Sequence, residues 1–89
     1  MIKSKAFQAT TTTSELLPVK TGRTYVGVQN HDAANPVVVT LGGADAILSP
    51  PNGVQIEAGE FLELQADLEG IVNIISGTGA VDVTVLFNR

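Results

Sequence analysis

Ile71-Val72-Asn73-Ile74-Ile75-Ser76-Gly77-Thr78-Gly79-Ala80-Val81-Asp82-Val83-Thr84-Val85-Leu86-Phe87 is the stretch that decides the fold class of this 89-residue chain. In its second half Val81, Val83, Val85 and Phe87 alternate with Asp82 and Thr84, so one face is apolar and the other polar, the period of a half-buried strand. Ser76-Gly77-Thr78-Gly79 is a cluster of turn formers. The stretch therefore predicts two strands, Ile71–Ile75 and Ala80–Phe87, joined as a hairpin.

Working outward, the same chemistry recurs. Thr24-Tyr25-Val26-Gly27-Val28-Gln29-Asn30 places Val26 and Val28 on one face, and the loop formers from Asn30 to Pro36 lead into Val37-Val38-Val39-Thr40-Leu41, which Gly42-Gly43 ends. Val54-Gln55-Ile56-Glu57 and Phe61-Leu62-Glu63-Leu64-Gln65-Ala66 flank Ala58-Gly59 and read as two strands joined at a tight bend. Between them, 44–48 reads as an irregular crossing or one helical turn, and Ser49-Pro50-Pro51-Asn52-Gly53 as a loop. Val, Ile and Thr together supply 26 of the 89 residues, which is strand composition.

The expected fold is all-β: a small antiparallel β-sandwich or a Greek-key, jelly-roll-like barrel. Residues 1–20, with Thr10-Thr11-Thr12-Thr13 at their centre, form an extended N-terminal arm or edge strand ahead of a sandwich domain at 21–89. The length limits the chain to one domain. Without cysteine, thiolate chemistry, disulfides and cysteine-based zinc sites are excluded. No apolar run approaches the roughly 20 residues of a spanning helix, so no membrane partner is expected, and Met1–Lys5 is not followed by the apolar core of a signal peptide.

Only 16% of residues are charged, and mean hydropathy is +0.25. The charges are unevenly placed. Lys3, Lys5, Lys20 and Arg23 share the first 23 residues with one acid, Glu15. From Thr24 to Asn88 there are eight acids and no Lys or Arg. So acidic a body would repel a phosphate backbone, and no nucleic-acid partner is expected. The basic segment is either a solvated tail or an arm that lies along the acidic face of its own or a neighbouring subunit. Apolar residues also stand where alternation predicts solvent, at Val38, Phe61, Ile71, Ile75 and Leu86. These are either harmless exposures or parts of a subunit interface. The expected partner-binding residues are thus Lys3, Lys5, Phe7, Lys20, Arg23, Val38, Phe61, Ile71, Ile75 and Leu86.

Catalytic chemistry is sparse. His31, the single histidine, sits in a loop beside Asp32, and Ser14, Ser49 and Ser76 lack a strand-turn-helix nucleophile elbow. Glu57, Glu60 and Glu63 flank a turn and read as a solvated strand end rather than a carboxylate pair across a cleft. Asp32, Asp45 and Asp67 could assemble a structural calcium site only from distant loops. Gly77-Thr78-Gly79 precedes a strand, so no helix N-terminus is there for a phosphate. No enzyme activity and no cofactor are expected.

Four segments in order carry a resemblance: Arg23-Thr24-Tyr25-Val26-Gly27-Val28-Gln29-Asn30, the valine strand ending in Leu41-Gly42-Gly43, Gly53–Glu60, and Ile71–Gly79. Over residues 23–85 the chain resembles small β-sandwich virion proteins of tailed bacteriophages, most of all capsid decoration (cement) proteins. The resemblance implies a non-enzymatic protein on the outer surface of the capsid, bound between subunits of the major capsid protein, commonly as an oligomer, with a homotrimer favoured by the capsid's local three-fold sites. It transfers no catalytic residues. The alternative is a tail or surface-adhesion module that binds carbohydrate through loops 30–36 and 44–53.

Overall fold

The computed structural model describes residues 1–49 and 51–89; the Pro50 part of the expected 49–53 loop lies outside them. The described residues form eight strands: β1 (Lys3–Ala9), β2 (Ser14–Leu17), β3 (Tyr25–Asn30), β4 (Val37–Thr40), β5 (Val54–Ile56), β6 (Phe61–Gln65), β7 (Val72–Ser76) and β8 (Val81–Phe87). They build two antiparallel four-stranded sheets, β1-β8-β3-β6 and β2-β7-β4-β5. At every connection except β4 to β5 the chain changes sheet. This is the strand order of a jelly roll. The all-β sandwich expected from the sequence is what the chain forms.

The expected hairpin at 71–87 does not form. β7 lies in one sheet between β2 and β4, and β8 lies in the other between β1 and β3. Ser76–Gly79 carries the chain across the gap between sheets, with Ser76 Oγ donating to the carbonyl of Gly79 at 2.7 Å. The bend at Ala58-Gly59 is likewise an arch from β5 to β6, not a hairpin. Both errors have one cause. Turn-forming residues permit a reversal, but whether it runs within a sheet or between sheets is set by distant pairing partners.

The strand faces follow their alternation. Val26, Val28, Val81, Val83 and Val85 point inward and meet Val37, Val39, Ile56, Val72 and Ile74 of the opposite sheet, with Leu62, Leu64 and Phe87 packed at the margin. Each fully buried Val or Leu contributes about 1.5–3 kcal/mol relative to exposure. Residues 1–20 supply an edge strand to each sheet: Lys3–Ala9 pairs along β8 and Ser14–Leu17 along β7. Ala9, Leu16 and Leu17 are buried in the same core.

The excursion between β4 and β5 folds over the outer face of its own sheet. It starts at Gly42 and Gly43, whose φ of 75° and 88° favour glycine. The Ala44 carbonyl then accepts from Thr40 Oγ1 and Asn73 Nδ2, and Ala46, itself buried, donates its N–H to Thr13 Oγ1 at 2.9 Å. Leu48 packs against Gly77, where an added Cβ would stand 3.0 Å from Leu48 Cδ2. The segment takes the irregular form of the two expected for 44–48. Val38, on that outer face, is 0% exposed as a result.

Candidate functional site

The expected contact residues separate into three groups. Val38 and Arg23 are inaccessible, at 0% and 1% exposure, so neither can touch a partner. Val38 lies on the face over which residues 42–48 fold back, and Ile75, its cross-strand neighbour, is half-buried, as is Ile71 at the entry to β7. Arg23 is a structural clamp. Its guanidinium donates to the carbonyls of Pro18 (2.7 Å), Arg89 (2.8 Å), Leu68 (3.3 Å) and Gly70 (3.3 Å), and burial lowers its pKa from the ordinary value. Three segments that would otherwise hold unpaired carbonyls are thereby tied together at one end of the sandwich.

The second group lies on the outer face of the β1-β8-β3-β6 sheet. Phe61 is 45% exposed at the start of the edge strand β6, and its ring covers Gly27, where an added Cβ would come within 2.7 Å of Phe61 Cζ. Leu86, half-buried, pairs with Gly27 from the other side. The Tyr25 hydroxyl donates to Glu63 Oε2 at 2.7 Å, and that bond raises the phenol's pKa. Glu60 and Glu63 stand on either side of Phe61 in sequence, so this edge is an exposed aromatic among carboxylates.

The third group converges on a cleft. Between the start of β1, the end of β2 and the end of β8 lies a hollow of about 280 Å³. Its rim carries Lys3, Lys5, Lys20 and Arg89, four of the five Lys and Arg residues of the chain, with the fifth, Arg23, buried behind them. Leu17, Pro18 and Phe87 form its apolar floor, and no Asp or Glu side chain is among the described lining residues. β1 and β8 pair in a register that sets Lys3 opposite Phe87 and Lys5 opposite Val85, so both lysines sit on the inward face of an edge strand. Lys5 Nζ donates to the Leu16 carbonyl at 3.1 Å and lies 5.5 Å from the Phe7 ring centre. Inward-directed lysines at an edge also discourage indiscriminate strand addition. Sequence reasoning grouped four of these cations. Arg89 joins them only through the fold.

The residues weighed for catalysis are engaged locally. His31 Nε2 lies 2.8 Å from Thr84 Oγ1. The Asp32 carboxylate accepts from the backbone N–H groups of Ala34 (3.0 Å) and Asn35 (2.7 Å), which lower its pKa. Glu60 accepts the N–H of Glu57, and Glu57 accepts the Gln55 amide. Among the described residues no three His, Asp or Glu side chains are grouped to hold a metal ion.

No family model and no curated protein matches the chain. Solved structures do. Over 88% of its length the chain is similar to the stem and receptor binding domain of the spike protein P1 from bacteriophage PM2 (TM-score 0.63, 18% identity). It spans 29% of that spike chain. It is also similar to PirA (TM-score 0.59, 17% identity), covering 96% of this chain and 93% of that one. A third likeness is to a Bacillus endospore appendage protein, one of a family of disulfide-linked pili (TM-score 0.52, 12% identity), covering 98% and 84% of the two chains. At these identities the likeness is one of fold.

Proposed function

We propose that this chain is a non-enzymatic structural module of a bacteriophage virion surface, which acts by contact with a protein shell and with copies of itself, as a capsid decoration protein does. One observation carries the reading. His31, Asp32 and Glu57 are engaged in bonds within the chain, whereas the exposed Phe61 edge and the cation-rimmed cleft stay open. Such surfaces suit association rather than turnover. The sequence resemblance to tailed-phage virion proteins and the fold shared with a phage spike support the same reading. The proposed shell partner is the major capsid protein and the proposed oligomer a trimer, so that several weak contacts act together. Adding purified protein to shells that lack it tests this: saturable retention supports the reading, and shells that emerge bare refute it.

A second reading, attachment through loops 30–36 and 44–53, draws support from the likeness to a receptor binding domain. Loop 30–36 is held rigid by Asn30 and Asp32, as a recognition loop must be. Glycan-array hits abolished by changes in those loops would favour it over shell binding.

A further inference from the structure

We infer that copies of this chain join head to tail, the acidic Phe61 edge of one copy seating in the basic cleft of the next. The inference rests on the self-association in the reading above and assigns its surfaces. The cleft presents Lys3, Lys5, Lys20 and Arg89, four of the five Lys and Arg residues of a chain whose net charge is −4, around an apolar floor. An occupant that matches it must bring carboxylates together with an apolar group.

This chain itself displays such a segment. Glu60-Phe61-Leu62-Glu63 carries two exposed acids about a half-exposed aromatic ring. It lies at the opposite edge of the sheet from β1, three strand spacings or about 14 Å away. It also begins at the other end, since Phe61 pairs with Gln29 at the end of β3, while Arg23 precedes the start of that strand. A cleft and its complement on opposite edges and opposite ends cannot satisfy each other within one molecule. Nor do they form a two-fold contact, which would need both patches on one side of the molecule so that each meets its complement at once. They define a heterologous contact, which closes into a ring or extends as a filament. Phe61 over the Leu17–Phe87 floor supplies the buried anchor, and the lysines and Arg89 meet Glu60 and Glu63 at the rim.

Two charge-reversed variants test the assignment: Lys3→Glu with Lys20→Glu in the cleft, and Glu60→Lys with Glu63→Lys at the edge. Wild-type protein at high concentration and low salt should show species larger than one chain by light scattering, which dissociate as salt rises. Each variant alone should fall to a single chain, losing about tenfold or more in association constant. Mixed together they should associate again, because the unaltered edge of the first fits the unaltered cleft of the second and the two reversed patches are also opposite in charge. Phe61→Ser, which breaks no side-chain hydrogen bond, should weaken association while leaving the thermal melt in place. Wild-type protein that stays a single chain, or a mixture that fails to pair although both variants melt cooperatively, overturns the inference. Shell binding by a single-chain protein would leave the functional reading standing without it, and head-to-tail association without shell binding would do the reverse.

Discussion

The buried side-chain amide of Asn30, at the end of β3, donates to the Ile56 carbonyl at 3.1 Å and so ties one sheet to β5 of the other. The same amide donates to the Asn35 carbonyl at 2.9 Å, while its oxygen accepts the N–H of Asp32 at 2.8 Å. Loop 30–36 is therefore anchored to the inter-sheet core through one side chain.

Asn30→Asp keeps the shape but turns a donor toward two carbonyls into an acceptor. Buried acceptors without partners cost about 1–3 kcal/mol each, so the variant should lose on the order of 3 kcal/mol in urea unfolding. A midpoint unchanged from wild type would show that the Asn30 amide does not join the sheets.

Arg23→Lys removes the planar fork that reaches four carbonyls at once. Lysine presents one ammonium and cannot span Pro18, Leu68, Gly70 and Arg89 together. A loss on the order of 2–3 kcal/mol is expected. Amide exchange should quicken in the 18–23 and 66–71 loops before it does in β8.

Val38 and Phe61 were alike as apolar residues on outward-facing positions, and the structure separates them. Val38→Asp puts a carboxylate at a fully buried position and should cost several kcal/mol or prevent folding. Phe61→Asp should change stability little. Gly53→Ala belongs with Val38, because an added Cβ would collide with the Val39 backbone carbonyl and lift the returning end of the excursion. Thermal melts of the three variants check the ordering.

Asp32 and Tyr25 give opposite pH signatures. The N–H groups of Ala34 and Asn35 hold the Asp32 carboxyl below its ordinary value. Its contribution is thus complete above the unfolded carboxyl's pKa and is lost as pH falls through the depressed folded value. Tyr25 is raised by Glu63, so its contribution is present below the ordinary phenol pKa and is lost as pH rises through the folded value. NMR titration should place Asp32 below 3.8 and Tyr25 above 10.0. Asp32→Ala should flatten the acid limb of stability against pH, and Glu63→Gln the alkaline limb.

Much of this fold is legible in residue order. The alternation at Val81, Val83 and Val85 marks an inward face because a strand has a period of two, and the turn formers mark where strands stop. Which strand lies beside which is not legible, because Ser76–Gly79 serves an arch between sheets as well as it would serve a hairpin. The pairing of β8 with β1, some 75 residues apart in sequence, is decided by the whole assembly of faces. The outward apolar residues divide for a similar reason. Ala44 reaches Thr40 and Asn73, and Leu48 reaches Gly77, only once the excursion folds back. Arg23 belongs to the basic first quarter of the sequence, yet the fold assigns it to carbonyls. Lys3, Lys5 and Lys20 meet Arg89 only when the two ends of the chain come together beside Phe87.

The most direct test of the proposed role is the retention of purified protein on shells of its own virion prepared without it, followed by imaging of those shells. The account predicts binding that saturates at fixed, symmetry-related positions and weakens as salt rises. Shells that stay bare at every protein concentration, with the added protein folded and intact, would contradict it.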